Sequence, residues 1–307
     1  MKQIQPSASL WQPSDDWKEH VARCARVCYA SESGSMSAEA FCDSLAKKGH
    51  FSMFRHATHY FIFEVENVNP SFPQWVCVAL ANSPYTVCVF KKIKHVGRIY
   101  FVSANHQFVL ENQKIMHHLA KYEVSLSQFV AKAEEKEFPT ALNAIRYTVC
   151  VTTQISTTRE LNRTSPNNIA EQSTRYVNFG KRGGITICTP HWYSCAHWSK
   201  KLLARFGWKM AEICYNVALR LGLPAQDARG FLPLDTASRV VYTYSVYEWR
   251  RIMALRLVGS TGKPHPNAKI AAQYIHDAIL PAMRIFGGDK AHLTTSAYAP
   301  ACSPSGE

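Results

Sequence analysis

Between Arg159 and Tyr176 the chain reads Arg159-Glu-Leu-Asn-Arg163-Thr-Ser-Pro-Asn-Asn168-Ile-Ala-Glu171-Gln-Ser173-Thr-Arg175-Tyr176. Three arginines, two carboxylates, two serines and several asparagines fall within about five helical turns' worth of chain. Guanidinium groups take phosphate or carboxylate in a bidentate fork. Asparagine and serine offer the donors and acceptors that read an amide edge. The combination suits a ligand with a phosphate at one end and a uracil-like face at the other. A capped polar loop has the same composition, so residue types alone leave both readings open.

The elements that must hold these residues follow from periodicity. Arg146–Gln154 alternates Tyr147, Val149 and Val151 with Thr148, Cys150 and Thr152, which predicts a half-buried strand. A helix starting near Ser156 carries Arg159, Glu160 and Arg163 until Pro166 ends it. The chemistry-bearing residues therefore sit at a strand-to-helix-to-loop junction. Upstream, Trp17–Tyr29 has helical spacing, and a second helix follows Ser37 as N-cap, with Gly49 past its end. Thr58–Val65 is aromatic and β-branched, a strand. The segment 66–139 has short apolar runs and a helical piece near Asn112–Tyr122, and reads as an insertion or lobe without an assigned role. Downstream, the pattern predicts helices over Trp198–Leu221, Ala237–Val258 and Ala268–Phe286. Two widely separated strands with helices clustered in the C-terminal half indicate an α+β fold. The expected organisation is one domain over 1–288 and a flexible tail over 289–307.

Composition bounds the function. With 307 residues, 47% hydrophobic and 19% charged, the chain can bury a core, which excludes wholesale disorder and collagen-like or coiled-coil structure. Apolar stretches such as Tyr60–Phe63 and Val76–Ala81 are far short of the roughly 20 residues of a membrane helix. The polar start, Met1–Asp16, lacks the apolar core of a signal peptide, so a soluble, cytoplasmic protein with no membrane partner is expected. Ten cysteines lie in apolar settings such as Val87-Cys88-Val89 and read as buried thiols.

The net charge of +13 admits nucleic acid, an acidic membrane surface or phosphorylated small molecules as partners. The densest basic cluster is only Lys91-Lys92-Ile93-Lys94, which excludes a basic tail. Single arginines, notably Arg159, Arg163, Arg175, Arg229 and Arg256, suit discrete phosphates or carboxylates, and nucleic acid stays open. Gly259-Ser-Thr-Gly262-Lys263 is followed by Pro264 and is no Walker loop. Cys188, His191, Cys195 and His197 match no common zinc spacing, so no metal is expected. Hydrolase, zincin and Rossmann motifs are missing.

The Arg159–Tyr176 segment resembles the signature of the flavin-dependent thymidylate synthases: Arg-His-Arg, seven residues, Ser, then x-Arg-Tyr. Arg163 takes the first place, seven residues separate Ser165 from Ser173, and Arg175-Tyr176 follow. Ala25-Arg-Val-Cys-Tyr29, Gly49-His50-Phe-Ser52-Met-Phe54-Arg-His56, Ala228-Arg229-Gly-Phe-Leu232-Pro233 and Glu248-Trp249-Arg250-x4-Leu255-Arg256 resemble further blocks of that family, in order. The resemblance implies synthesis of dTMP from dUMP, with 5,10-methylenetetrahydrofolate as carbon donor, FAD as hydride carrier and NADPH as reductant. It also implies a mixed central sheet flanked by helices, and a homotetramer with shared active sites.

By position, Glu160, Ser173, Arg175, Arg229 and Arg256 would hold dUMP, with Arg175 and Arg229 at its phosphate. Arg163, Ser173 and Arg256 would carry catalysis. His50, Ser52, Arg55, Arg163, Thr164, Ser165, Glu171, Ser245 and Arg251 would lie at the flavin. The chain departs from the family where Thr164 and Ser165 replace His and Arg, Asn168 replaces Ser, Arg55 replaces Glu, Ser245 replaces Asn, and Arg251 replaces Asn or His. The two new arginines, Arg55 and Arg251, are expected to restore the lost charge at the FAD pyrophosphate. The alternatives are an enzyme that modifies C5 of another pyrimidine nucleotide, or a flavin-free nucleotide- or nucleic-acid-binding homologue without the activity.

Overall fold

The computed structural model describes residues 1–11, 16–31, 36–66, 72–94, 97–164, 168–287 and 293. The polar opening of the chain forms two short strands, β1 (Lys2–Ile4) and β2 (Ser7–Trp11), where no structure was expected. Only Ala8, Leu10 and Trp11 of β2 turn toward the core, too few for a sequence pattern. Asp16 then caps α1 (Trp17–Tyr29), its carboxylate accepting from Lys18 N at 2.8 Å. Val21, Cys24, Ala25 and Val27 form the buried face of α1, as their spacing predicts. Ser37 caps α2 (Ala38–Lys47), and Gly49 beyond it takes φ 70°, a conformation glycine adopts without a Cβ clash.

After a 3-10 turn, Phe51–His56, the chain builds a lobe from β3 (Thr58–Glu66), α3 (Gln74–Asn82), β4 (Thr86–Ile93), β5 (Gly97–Asn105), α4 (His106–Glu111), α5 (Gln113–Leu119), β6 (Glu123–Val124) and α6 (Leu126–Glu135). Its antiparallel sheet runs β4-β5-β3-β6. Phe61, Phe63, Val102 and Phe108 bury one face beneath the lobe's helices. Tyr60, Ile99 and Phe101 on the other face join Phe129 and the rest of the molecule in a shared core. Since β5 is buried on both faces, its sequence runs apolar without alternation, and periodicity could not reveal it. Lys91 belongs to β4, and its Nζ donates to the carbonyls of Lys136 and Glu137, so part of the basic cluster is structural.

The second half holds β7 (Arg146–Gln154), α7 (Ile155–Asn162), β8 (Ile169–Glu171), β9 (Thr186–Cys188), α8 (Trp198–Arg220), α9 (Ala225–Ala228), β10 (Ala237–Ser245), α10 (Val246–Met253) and α11 (Pro266–Gly287). The fold is α+β. The central sheet runs β2-β7-β10-β8 and is antiparallel throughout. Parallel pairing enters through β1 beside β9, which a bridge between Ile187 and Thr236 ties to the run leading into β10. On one face of the sheet α1 packs through Cys24 and Val27 against Trp11, Cys150, Ala170 and Val241. On the other face Val149, Val151, Val240 and Tyr242 meet Ala271, Ala272, Ile275 and Ile279 of α11 and the lobe.

Two expectations are corrected. Arg146–Gln154 is buried on both faces rather than half-buried, because its neighbours β2 and β10 carry the same covering layers. Ala237–Val258 is not one helix: Val240-Val-Tyr-Thr-Tyr244 is β-branched and aromatic and forms β10. The change to helix falls at Ser245, whose Oγ accepts from Glu248 N at 3.2 Å while Glu248 Oε2 accepts from Ser245 N at 2.7 Å. That capping box starts α10, which gives way to a π-helical turn, Ala254–Val258, closed by Gly259 at φ 84°. Among the described residues no helix is long and apolar enough to cross a membrane. Cys24, Cys42, Cys77, Cys88, Cys150 and Cys188 are buried thiols, as their apolar neighbours predict, and burial pushes Cys188 up to about 12, whereas Cys28 is half-buried and Cys195 and Cys214 are exposed, against the expectation.

Candidate functional site

The junction after β7 is anchored by buried Gln154, whose amide donates to Thr189 O at 3.1 Å and accepts from Thr157 Oγ1 at 2.9 Å. This sets the direction of α7, which presents Thr158 and Asn162 to β8 and β10. Glu171, the last residue of β8, accepts three hydrogen bonds: from Thr158 Oγ1 at 2.6 Å, Ser238 Oγ at 2.9 Å and Asn162 Nδ2 at 3.0 Å. Asn162 is itself fixed by Tyr242, whose buried hydroxyl donates to Asn162 Oδ1 at 2.7 Å. Burial holds the Tyr242 phenol well above its ordinary value, so it stays a donor. A single carboxylate is thus fixed by neutral donors from two elements, with no lysine or arginine among the described residues in its hydrogen-bond set.

Toward the C-terminal end of the chain, Arg256 reaches back to α7. Its Nη2 donates to Glu160 O at 2.8 Å, and its Nη1 lies 3.9 Å from Glu160 Oε2. Its Nε is buried and has no hydrogen-bond partner among the described residues. Arg256 lies in the π-helical turn, a backbone form that recurs at functional sites. In the opposite direction, Ser173 N donates to Cys28 O at 2.9 Å, which docks the segment after β8 on the end of α1. Ser173 Oγ accepts from Arg175 N at 3.2 Å, and Arg229 Nη1 reaches Thr174 Oγ1 at 3.5 Å. Arg175 and Arg229 are both exposed, and Tyr29 and Tyr176 pair beside them with ring centroids 5.5 Å apart. Glu171, Ser173 and Arg175 follow one another along one stretch of chain and Arg229 reaches Thr174 within it, so these four form a strip with exposed guanidiniums at one end, while Glu160 and Arg256 pair at α7, whose Thr158 and Asn162 bond Glu171.

The residues expected at the cofactor distribute differently. Arg163 is exposed at the C-terminus of α7, and Thr164 Oγ1 donates to Leu161 O at 2.7 Å. Ser165 lies outside the described residues. His50 and Ser52 are exposed at the 3-10 turn, and Arg251 is exposed on α10. Arg55 is drawn into the lobe: its Nε donates to Gln107 Oε1 at 2.6 Å, and its guanidinium lies 5.1 Å from the Tyr85 ring. Ser245 is fully buried, and its hydroxyl serves the α10 cap.

Three groups of polar residues escaped sequence reasoning. Thr158, Asn162, Ser238 and Tyr242 are ordinary residue types from separate elements, and only the fold gathers them around Glu171. A second network is buried: His56 Nδ1 meets Thr243 Oγ1 at 2.8 Å, Thr243 meets Thr148 at 2.8 Å, and Thr148 meets His20 Nε2 at 3.0 Å. Arg146 Nη2 donates to Arg55 O at 2.9 Å and to Thr243 O at 3.1 Å, tying the 3-10 turn to the central sheet. Burial drives His20 down to about 4 and His56 to about 3, so both imidazoles are neutral near pH 7. The third group, Trp11, Arg23, Arg26, Gln172 and Arg239, lines a cleft of about 580 Å³ on the α1 side of the central sheet.

Among the described residues no group of three His, Cys, Asp or Glu side chains could hold a metal ion. Of the four residues weighed for zinc, His191 Nδ1 lies 3.1 Å from Asn267 Oδ1, and His197 Nδ1 lies 2.9 Å from Ser199 Oγ.

Residues 90–281 match the family model described as "Thymidylate synthase complementing protein". Among solved structures, a UMP/dUMP methylase from Streptomyces cacaoi bound with 5-Br dUMP is similar at 18% identity and a TM-score of 0.41, over 53% of this chain and 80% of that chain. The same methylase bound with 5-Br UMP is similar at 18% identity and a TM-score of 0.39, over 55% of this chain and 87% of that chain. No curated protein matches.

Proposed function

The chain belongs to the thymidylate synthase complementing protein family and is an enzyme of methyltransferase type, and from that premise we propose that it methylates C5 of dUMP to give dTMP. The observation that carries this reading is the strip from Glu171 to Arg229, with the Glu160–Arg256 pair on the helix that bonds Glu171. Arg175 and Arg229, exposed at one end, suit the nucleotide phosphate in bidentate fashion. The Arg256 Nε–H is a buried donor without a partner among the described residues, and a uracil carbonyl would satisfy it. Glu171 offers a carboxylate already held in place by three neutral donors, so no reorganisation is needed when the base arrives. Ser173 sits between the two ends and orients the nucleotide. Arg163 polarises the uracil oxygens, which prepares C5 for attack on the carbon donor. In this scheme the residues act by position and electrostatics, and no enzyme nucleophile is required.

The co-substrates in this reading are 5,10-methylenetetrahydrofolate and NADPH. FAD, when bound, supplies hydride transfer. The exposed donors His50, Ser52, Arg163 and Arg251 have the chemistry to hold it, with Thr164 beside them. Arg55 and Ser245 drop out of that set, because lobe packing and the α10 cap engage their polar groups. The exposure of the remaining residues fits a site completed by another copy of the chain. Trp198, Leu202, Phe206, Met210, Ile213 and Val217 form an exposed apolar stripe along α8, which supports self-association, in this reading as a homotetramer.

The test is a titration of purified protein with FAD, followed by absorbance and flavin fluorescence, and a titration with dUMP followed by calorimetry. Binding of both, with dUMP lost in Arg229→Ala, supports the reading. Failure to bind added FAD, with dUMP or nucleic acid still bound, assigns the chain to the flavin-free alternative. Preference for another pyrimidine nucleotide assigns it to the C5-modifying alternative.

A further inference from the structure

We propose that Glu123, His59 and His106 form a proton relay that docks the lobe on α1 through Trp17 and parts when both imidazoles carry an extra proton. The strand register assembles it. His59 stands opposite Ala104 in the β3–β5 ladder, and His106 follows two residues later at the head of α4. On the other side of β3, Glu123 stands opposite Phe61, two residues from His59. Residues two apart share a face of a strand, so one imidazole is flanked by a carboxylate and by a second imidazole. His59 Nδ1 meets Glu123 Oε1 at 2.7 Å, and His59 Nε2 meets His106 Nδ1 at 2.8 Å. The His106 ring stacks on Trp17 of α1 with centroids 3.8 Å apart.

These hydrogen bonds fix where the protons sit. Glu123 is a carboxylate, held below its ordinary value by its bond with His59. It can only accept, so His59 Nδ1 carries a hydrogen. A neutral His59 then offers a lone pair at Nε2, and His106 donates to it from Nδ1, leaving its own Nε2 bare. A proton from water entering at His106 Nε2 changes this without breaking a link. An N–H forms there, the Nδ1 hydrogen passes to His59 Nε2, and the middle bond reverses direction. The charge comes to rest on His59, against the Glu123 carboxylate. A second proton leaves two N–H groups facing each other, and the His59–His106 bond is lost. That proton is resisted: burial first and His59 second push His106 down to about 4, with Lys18 acting in the same sense and Glu123 against it.

The relay reaches beyond the lobe. Phe54 belongs to the 3-10 turn that presents His50 and Ser52, and its ring centroid lies 5.8 Å from that of His106 and 6.1 Å from that of Trp17. Gln107, next in α4, accepts from Arg55 Nε of the same turn at 2.6 Å. The head of α4 therefore grips α1 and the turn together. The charged groups about this grip are Arg55 on the turn, Glu111 on α4, and Lys18 on α1 with Asp16, Glu39 and Asp43 around it. A cavity of about 290 Å³ lies alongside, with Trp17, His59 and Glu123 in its wall together with His20, His56 and Arg146, and it has room for water to reach the pair. None of the three relay residues belongs to the strip, and the proposal stands whichever nucleotide the strip takes.

The test is solid-state nitrogen-15 NMR of full-length protein labelled at histidine, from about pH 8 to about pH 4, since each tautomer and the imidazolium give distinct shifts. A nitrogen–nitrogen correlation across the 2.8 Å contact picks out the pair in wild type without any variant. His106 is expected as the Nδ1–H tautomer while His59 is neutral, and as the Nε2–H tautomer from the step in which His59 becomes imidazolium. Glu123 is exposed, so Glu123→Gln keeps the fold, which a thermal melt checks. That variant is expected to move the step down by about one pH unit, a tenfold weaker hold on the proton. The second proton is expected to part His106 from Trp17, read as the difference in fluorescence between wild type and Trp17→Phe across the acid range. A neutral His59 beside an Nε2–H His106 would overturn the proposal. So would a His59 step that leaves the His106 tautomer unchanged or is the same in Glu123→Gln, or a fluorescence difference that does not vary with pH.

Discussion

Glu171 and His56 sit about the central sheet in networks of similar composition, yet the two networks do different things. Around Glu171, threonine, serine and asparagine hold a half-buried carboxylate that keeps contact with solvent. Around His56, threonines and Arg146 join two histidines in a buried chain from α1 to β10, and burial strips the imidazoles of charge. The first network holds a group ready for a ligand. The second uses its hydrogen bonds to fasten the 3-10 turn to the sheet, and burial decides between these outcomes more than residue type does.

The contrast is broken most directly by substituting the strip. Arg229→Ala is expected to lower kcat/KM for dUMP by about 10²–10³, the scale of losing one charge-stabilising donor. Because Arg229 is exposed, stability should stay within about 0.5 kcal/mol of wild type in a denaturant titration. Equal loss of stability and activity would erase the distinction between the two networks.

The buried network should answer in the opposite sense. Arg146→Met leaves the carbonyls of Arg55 and Thr243 without their donor, at an expected cost of about 2–4 kcal/mol in unfolding free energy. A variant as stable as wild type would show that the network is not a fastening.

The histidines add a pH dependence. Their folded-state values, about 4 for His20 and about 3 for His56, lie below the ordinary 6.5. The unfolded chain therefore binds protons first on acidification. Stability is full above pH 6.5 and declines as pH falls toward 4, by ~1.4 kcal/mol per pH unit for each imidazole once the unfolded state is protonated. Replacing His56 with Asn should flatten that slope, and an unchanged slope would remove His56 from the argument. The smallest effect is expected at Ser245, where Ala removes the helix cap and costs about 1 kcal/mol without touching the strip.

How much of this was legible follows the same physics. The density of charged and amide residues from Arg159 to Tyr176 marked the strip, and the family resemblance added Arg229 and Arg256. Local signals placed the first helices: helical spacing for α1, and Ser37 and Gly49 for α2. Strand β5 stayed hidden because both of its faces are buried, and β10 was taken for helix because apolar residues recur on both sides of the cap at Ser245. The engagement of Arg55 by Gln107 and Tyr85 was out of reach, because those partners arrive from the segment 66–139, whose strands β4 and β5 were not recognised. Trp11, Arg23 and Arg239 are far apart in sequence and become neighbours only through the pairing of β2, β7 and β10.

The central claim is C5 methylation of dUMP at the strip. It is tested most directly by tritium release from C5-labelled dUMP, with 5,10-methylenetetrahydrofolate, FAD and NADPH supplied, for wild type beside Arg229→Ala. The account predicts release by wild type that depends on all three additions and falls by about 10²–10³ in the variant. No release by a folded wild-type protein that binds both dUMP and FAD would contradict it.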